Sequence, residues 1–405
     1  MRDPHQPGGA AWRQAEAQRL LEFASRSVLP DGGFGYLDSQ GTPDSTRREL
    51  WITARMTHVF GLAALAGHPG ARDHAAHGVR ALIGLFHDPA NGGWVESIDS
   101  DGTALEVSKT FYGHCFVLLA ASTAYAARLS GAEDLLHRAQ RVIERHFWDE
   151  SHGLGVESFS REWTLCEDYR GANSNMHAVE AFTACSDATG EPLWRQRAMS
   201  IAERIVGGFT RDHGWRMPEH FSADWSPLLE YNAKQPADKF RPYGTTVGHW
   251  LEWSRLLVGL HERGGPAWLL DAATTLFDES VRVGWAADGA PGFVYTLDWE
   301  DAVVVAERMH WVQAEAVLAA DALYRAAEHE EAAELAEQWW RFLADHFVDT
   351  AGGSWHHELG SDLGVSTTVW PGKPDVYHAY QAVVFPDLPL APAAATALAR
   401  RGGVA

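Results

Sequence analysis

Residues 246–260 read TVGHWLEWSRLLVGL, and this stretch decides the fold. Trp250, Leu251, Trp253, Leu256, Leu257, Val258 and Leu260 place apolar groups on more than one side of a helix, so the segment is buried on more than one side. Among its polar residues, His249 and Glu252 fall in the opening turns. Five further stretches share this make-up: RELWITARMTHVFGLAALAG (48–67), KTFYGHCFVLLAASTAYAARL (109–129), NSNMHAVEAFTACSDATG (173–190), RMHWVQAEAVLAADALY (308–324) and PDVYHAYQAVVF (374–385). With Arg55, His114, His177, His249, His310 and His378 as anchors, the spacings are 59, 63, 72, 61 and 68 residues. That is too long for one hairpin of a short-repeat solenoid and leaves room for two helices and a substantial loop.

The sequence between anchors supplies both. Amphipathic, one-sided helices precede the buried ones: DLLHRAQRVIERHF aligns Leu135, Leu136, Ala139, Val142, Ile143 and Phe147, and EAAELAEQWWRFLADHF aligns Ala332, Leu335, Trp339, Phe342 and Leu343. A glycine turn with an aromatic residue then recurs: DGGFGYLD, NGGWVES, HGWRMPEH, GAPGFVYTLD and GGSWHHEL, with SHGLGVES carrying Leu in the aromatic position. Six units of outer helix, extended loop and inner helix predict an all-α fold, an (α/α)6 barrel of twelve helices with short extended loops at the active-site mouth. Neither a Pro/Ser linker nor a charge block divides the chain, so residues 1–405 are expected to form a single domain. The Ala/Pro-rich tail after Pro386 is expected to fray.

Composition narrows the function. Hydrophobic residues make up 46% of the chain and charged residues 21%, which supports a large core and excludes bulk disorder. The net charge of −21 repels phosphate backbones and anionic lipid, arguing against nucleic-acid and membrane-surface partners. No uncharged apolar run reaches the roughly 18 residues of a membrane span. The opening MRDPHQPGGAAWRQAEAQRL carries charges where a signal peptide needs an apolar run, and Cys115, Cys166 and Cys185 form no CxxC pair, so a cytoplasmic protein is expected. The 18 Trp offer flat faces for sugar rings and the 21 His offer proton transfer near neutral pH.

Successive inner helices run in the same direction, so their starts gather at one mouth. Trp51 and Arg55; Phe111, Tyr112 and His114; Asn173, Asn175, His177 and Glu180; His249 and Glu252; His310, Trp311 and Glu315; and Asp375, Tyr377 and His378 all lie near those starts. Polar groups from six units at one level describe a cleft. His177–Glu180 and His249–Glu252 are His-x-x-Glu pairs on one helix face, read as imidazoles oriented by carboxylates rather than as metal ligands, since HExxH, HxH and CxxC patterns are absent. GxSxG, GxxxxGK[ST] and complete GxGxxG patterns are also absent. A glycoside hydrolase recruiting two of Asp168, Glu180, Glu252, Glu315 and Asp375 is the rival chemistry. Histidine outnumbers carboxylate at the helix starts, which favours proton transfer at carbon.

EDYRGANSNMHAVEAF, TTVGHWLEWSRLL, RMHWVQAEAVL and GKPDVYHAYQA, in this order and spacing, resemble the N-acylglucosamine 2-epimerase superfamily from about Leu50 to Phe385. The resemblance is closest to its branch of mannose isomerase and sulfoquinovose isomerase-like aldose–ketose isomerases. It implies an (α/α)6 barrel and chemistry that needs no metal or nucleotide cofactor. It carries the catalytic roles to His249 and His378, with Glu252 supporting His249, and places His177 and Arg55 beside the sugar. Trp51, Tyr112, Asn173, Trp311 and Glu180 are its substrate-binding positions. The implied substrate is an unmodified monosaccharide such as D-mannose or D-lyxose, with sugar 2-epimerase as the alternative. A sulfonated sugar would need an anion site beyond Arg55, for which Lys239, Arg241 and Lys373 are the candidates in the chain.

The C2 hydrogen of an aldose becomes acidic only when C1 is a carbonyl, so the ring opens first. One base then makes a cis-enediol, and return of the proton to C1 gives a ketose. In this scheme His378 is expected to move the carbon-bound proton, His249, supported by Glu252, to handle ring opening and the oxygen protons, and Arg55 and His177 to stabilise the enediolate oxygens.

Overall fold

Helices of two burial patterns alternate along the chain. The computed structural model describes residues 3–403. Thirteen α-helices lie among them: α1 (Ala10–Ala24), α2 (Leu50–Leu65), α3 (Ala71–Gly84), α4 (Phe111–Ala126), α5 (Ala132–Val142), α6 (Ala172–Thr189), α7 (Pro192–Arg204), α8 (Val247–Glu262), α9 (Trp268–Gly284), α10 (His310–Ala327), α11 (Glu330–Phe342), α12 (Tyr377–Val384) and α13 (Ala394–Arg401). Every residue of α2 from Leu50 to Ala63 is buried, whereas α3 buries only Ala71, Ala75, Gly78, Val79, Ala81 and Leu82, one stripe at helical spacing. No helix among the described residues is long and apolar enough to cross a membrane.

Packing divides the chain into two compact units. One holds Ala24–Arg204, Ser222–Trp225 and the segment from Pro392; the other holds the segment up to Phe23, Ile205–Phe221 and Ser226–Ala391. In the α2–α7 unit, α4 packs against both α2 and α6, and α3, α5 and α7 cover α2, α4 and α6. The tail does not fray here. Its helix α13 packs on α2, α4 and α6, buries Ala395–Ala399, and is tied down by the Ala393 N–H donating to Asp187 at 2.7 Å. The small alanine side chains that read as a loose tail are what let this helix lie close to three others. In the α8–α12 unit, α10 packs against α8 and α12, while α9 and α11 cover α8 and α10. Trp12 of α1 meets Trp340 of α11 edge-on at 5.6 Å, and Glu16 accepts the Trp355 indole N–H at 2.8 Å.

Several of the buried helices start directly out of short strands. Arg47–Glu49 pairs with Ser97–Asp99 before α2, and Lys109–Thr110 pairs with Ser158–Phe159 before α4. Thr245–Thr246 pairs with Thr296–Leu297 before α8, and Arg308–Met309 pairs with Glu358–Leu359 before α10. Thr110 caps α4 by accepting the Gly113 N–H. An extended residue followed at once by a helical turn fixes where the first side chains of each helix stand.

A buried cation clasps several of the glycine turns. Lys109, two residues ahead of α4, donates to Asp88 at 3.2 Å and to the Gly92 carbonyl at 2.9 Å, and Arg161 joins the same carboxylate at 2.8 Å. Arg308, two residues ahead of α10, donates to Asp288 at 2.7 Å and to the Ala290 carbonyl at 2.8 Å. Lys373, ahead of α12, donates to Asp349 at 2.6 Å and to the Gly353 carbonyl at 2.8 Å. Gly292 is required in its turn: its φ is +100°, and a Cβ would come within 2.7 Å of Phe342. Lys373 is 1% exposed and committed to its turn, which removes it as an anion-binding candidate.

Candidate active site

In the α8–α12 unit, the first turns of three helices assemble two imidazoles on one indole. Thr245 accepts the Trp250 indole N–H at 2.8 Å and locks the start of α8. One turn away, His249 Nδ1 donates to both carboxylate oxygens of Glu219, at 2.9 and 3.0 Å. Glu219 also accepts the Thr246 N–H at 3.2 Å, so one carboxylate holds both the ring and the strand that leads into its helix. The carboxylate at His249 Nδ1 is Glu219, from the loop 30 residues upstream, a partner the sequence reading did not name. Glu219 lies inside the quoted turn HGWRMPEH, but no helical spacing links it to His249.

His378 has a matching partner. Its Nδ1 donates to Glu315 Oε1 at 2.9 Å, across 63 residues of sequence. Glu315 is fully buried and its other oxygen accepts Arg255 Nε at 2.8 Å; the same guanidinium lies 3.6 Å from Glu252. A carboxylate only accepts, so at each of these contacts the hydrogen is carried by the histidine Nδ1. The Trp311 indole lies 5.3 Å from the His249 ring and 5.6 Å from the His378 ring, tilted by 36° and 38°. Glu252, Glu315 and His378 each bring a donor atom within 4.8 Å of the others, a spacing that suits a metal ion. The Arg255 guanidinium lies beside two of these carboxylates.

In the α2–α7 unit the sequence-expected residues form a different set. Arg55 donates to the Tyr112 hydroxyl at 2.8 Å and lies over the rings of Phe116 at 4.4 Å and Trp51 at 5.2 Å. His177 packs against Phe116 at 4.7 Å and Tyr112 at 5.3 Å. Among Phe111, Tyr112 and His114, Tyr112 is therefore the residue joined to Arg55. Phe111 is wholly buried, and His114 is a core strut: its Nδ1–H donates to the Thr110 carbonyl at 2.6 Å and its Nε2 accepts the Trp94 N–H at 3.2 Å. Burial pushes His114 down to about 3, in keeping with that neutral role. Glu180 is buried and close enough to His58 to oppose the burial that lowers that imidazole to about 4. Asn173, half-buried at the start of α6, has a side-chain oxygen with no hydrogen-bond partner among the described residues. Asn175 is structural, bonded to both backbone groups of Gly155.

Comparison with known proteins places these groups in context. The family model described as N-acylglucosamine 2-epimerase (GlcNAc 2-epimerase) matches residues 32–382. A D-mannose isomerase of Thermobifida fusca is 49% identical over 97% of both chains. A cellobiose 2-epimerase of Bacteroides fragilis is 24% identical over 77% of this chain and 79% of its own. A crystal structure of a D-mannose isomerase superposes with a TM-score of 0.87 at 29% identity, over 94% of this chain and 98% of that one. The all-α (α/α)6 barrel expected from the sequence is the fold shared with that structure.

Proposed function

Because the chain belongs to the N-acylglucosamine 2-epimerase family and is an isomerase, we propose that it interconverts the unmodified sugars D-mannose and D-fructose by histidine acid–base catalysis. D-lyxose and D-xylulose differ from that pair only by a terminal carbon and would share the reaction. One observation carries the proposal: two imidazoles, each held at Nδ1 by a buried carboxylate, flank the indole of Trp311. With Nδ1–H on a carboxylate, Nε2 can take a proton and the resulting imidazolium is stabilised in place.

His249 is assigned to the ring oxygen and the hydroxyl protons, with Glu219 behind it. His378 is assigned to the hydrogen on C2, which it removes from the opened aldose and returns to C1. Arg255 and Glu315 fix its orientation, and Glu252 lies 3.6 Å from the same guanidinium. The Trp311 indole offers an apolar face to the sugar ring. Within the α2–α7 unit, Arg55, His177, Tyr112, Trp51, Asn173 and Glu180 are the groups whose chemistry suits a sugar's oxygens and ring. The free oxygen of Asn173 suits a sugar hydroxyl, and a fixed guanidinium suits the charge of an enediolate. Identity to a mannose isomerase is twice that to a cellobiose 2-epimerase, which supports return of the proton to C1 rather than to the opposite face of C2. Cytoplasmic action is part of the proposal, consistent with three free cysteines.

Incubation with D-mannose in deuterated water tests this. The expected product is D-fructose bearing deuterium at C1, formed at the same rate with and without EDTA. Deuterated glucose as the first product, without fructose, would make the enzyme an epimerase. Hydrolysis of a β-linked disaccharide would restore the glycosidase, and loss of activity in EDTA would assign a metal to the carboxylate cluster.

A further inference from the structure

His357 is buried just ahead of the strand Glu358–Leu359, and no step above uses it. Its contacts reach the starts of two helices that carry site residues. Its carbonyl accepts the backbone N–H of His310 at 3.0 Å, at the first residue of α10. Its ring stacks on the His310 ring, centroids 3.8 Å apart and planes 26° apart. Its Nε2–H donates to the Asp375 carbonyl at 3.1 Å, and the Asp375 carboxylate accepts the Tyr377 N–H at 2.8 Å, at the first residue of α12. Helix α10 carries Trp311 and Glu315, and helix α12 carries His378.

We infer that His357 is a positioning residue: its ring, stacked on His310 and bonded to Asp375, braces the start of α10 against the start of α12 and so sets the Glu315–His378 hydrogen bond. This rests on the proposed role of His378. The chemistry of the ring fits a strut rather than an acid. Burial, then the neighbouring His310, push the imidazole well below its ordinary range, and the hydrogen bond to Asp375 only partly opposes them. A neutral ring with its proton on Nε2 is a fixed donor, and it adds no charge beside His378. The rings of His310 and His378 stand edge to face at 6.5 Å, so a displaced His310 would press directly on the catalytic ring.

Two variants separate the hydrogen bond from the packing. His357→Phe keeps a ring on His310 and loses the donor; His357→Gln keeps an N–H of similar reach and loses the ring. With D-mannose, His357→Phe should lower kcat about tenfold or more with KM within about twofold, because misplacement of a proton-transfer group acts on the chemical step. His357→Gln should recover most of that loss. Wild-type kcat in His357→Phe, or a larger loss in His357→Gln than in His357→Phe, would overturn the inference. Imidazole 15N NMR of the wild-type protein reads the strut without substrate or variant. His357 should show Nε2 protonated and Nδ1 bare at pH 6 to 8; an imidazolium or the opposite tautomer would overturn the strut even if both variants fail to fold. A wild-type protein inert toward mannose would instead fail the proposed function, leaving the NMR result to judge His357.

Discussion

The α8–α12 unit and the α2–α7 unit build their helix starts from the same parts and load them differently. Both launch buried helices from short strands, and both clasp glycine turns with a buried lysine. At the first turns of α8 and α12 stand histidines backed by carboxylates; at those of α4 and α6 stand an arginine-bound tyrosine and a histidine set among rings. A carboxylate behind an imidazole stabilises its charged form, so that ring can gain and lose a proton within a cycle. Ring faces and a nearby fixed cation give His177 the setting of a group that holds an oxygen rather than one that shuttles hydrogen. The difference teaches that identical scaffolding can be divided between chemistry and grip.

The largest test of that division compares three alanine variants. His378→Ala and His249→Ala should each lower kcat by about 10³- to 10⁴-fold, the upper range for a lost acid–base group, and His378→Ala should also abolish exchange of the C2 hydrogen with solvent. His177→Ala should act mainly on KM, by about tenfold. If His177→Ala lost as much kcat as His378→Ala, or if His378→Ala kept the exchange, the division between the units would be wrong. The carboxylates sharpen the same contrast at a smaller scale. Glu219→Gln and Glu315→Gln keep a hydrogen-bond acceptor but remove the charge, and each should lower kcat by about 10²-fold. An unchanged kcat in Glu219→Gln would return the support of His249 to Glu252.

What the sequence reveals about this molecule follows from the range of each signal. Burial on many sides is written within one helix, so TVGHWLEWSRLLVGL announces an inner helix without reference to the rest of the chain. The glycine turns are equally local, and six copies of a local pattern suffice for the barrel. His249, His378 and Trp311 are legible for the same reason, standing in opening turns. Their partners are not. Glu219 and Glu315 lie 30 and 63 residues from the rings they hold, and Glu252, at helical spacing from His249, is the more visible carboxylate. His357 and the clasp lysines act through backbone carbonyls, which every residue has, so no residue type betrays the acceptor. Helix α13 was hidden by composition: a run of alanines reads as a tail until three other helices supply its apolar surroundings.

The scaffold half of the comparison is open to a test in acid. Burial opposes ionisation of Asp349, but hydrogen bonds from Lys373 and from the Gly352 N–H outweigh it and hold the carboxyl down at about 2. Burial likewise opposes ionisation of Asp88, and Arg161, Asn91 and Lys109 together carry that carboxyl lower still. A carboxyl depressed by folding contributes its full stability above its unfolded value and loses it as pH falls through the folded one. For Asp349 the linked contribution is on the order of 2 kcal/mol, present at pH 5 and fading towards pH 2. Urea unfolding of wild type and Asp349→Asn should therefore show a stability gap that narrows by that order between pH 5 and pH 2.5. For Asp88→Asn the gap should persist to lower pH, because its folded carboxyl ionises further down. A gap in Asp349→Asn that stays constant with pH would mean the turn is held by packing alone. Narrowing at Asp88 without narrowing at Asp349 would mean that the two units do not share the ionic clasp, and the contrast would then extend from the helix starts to the scaffold beneath them.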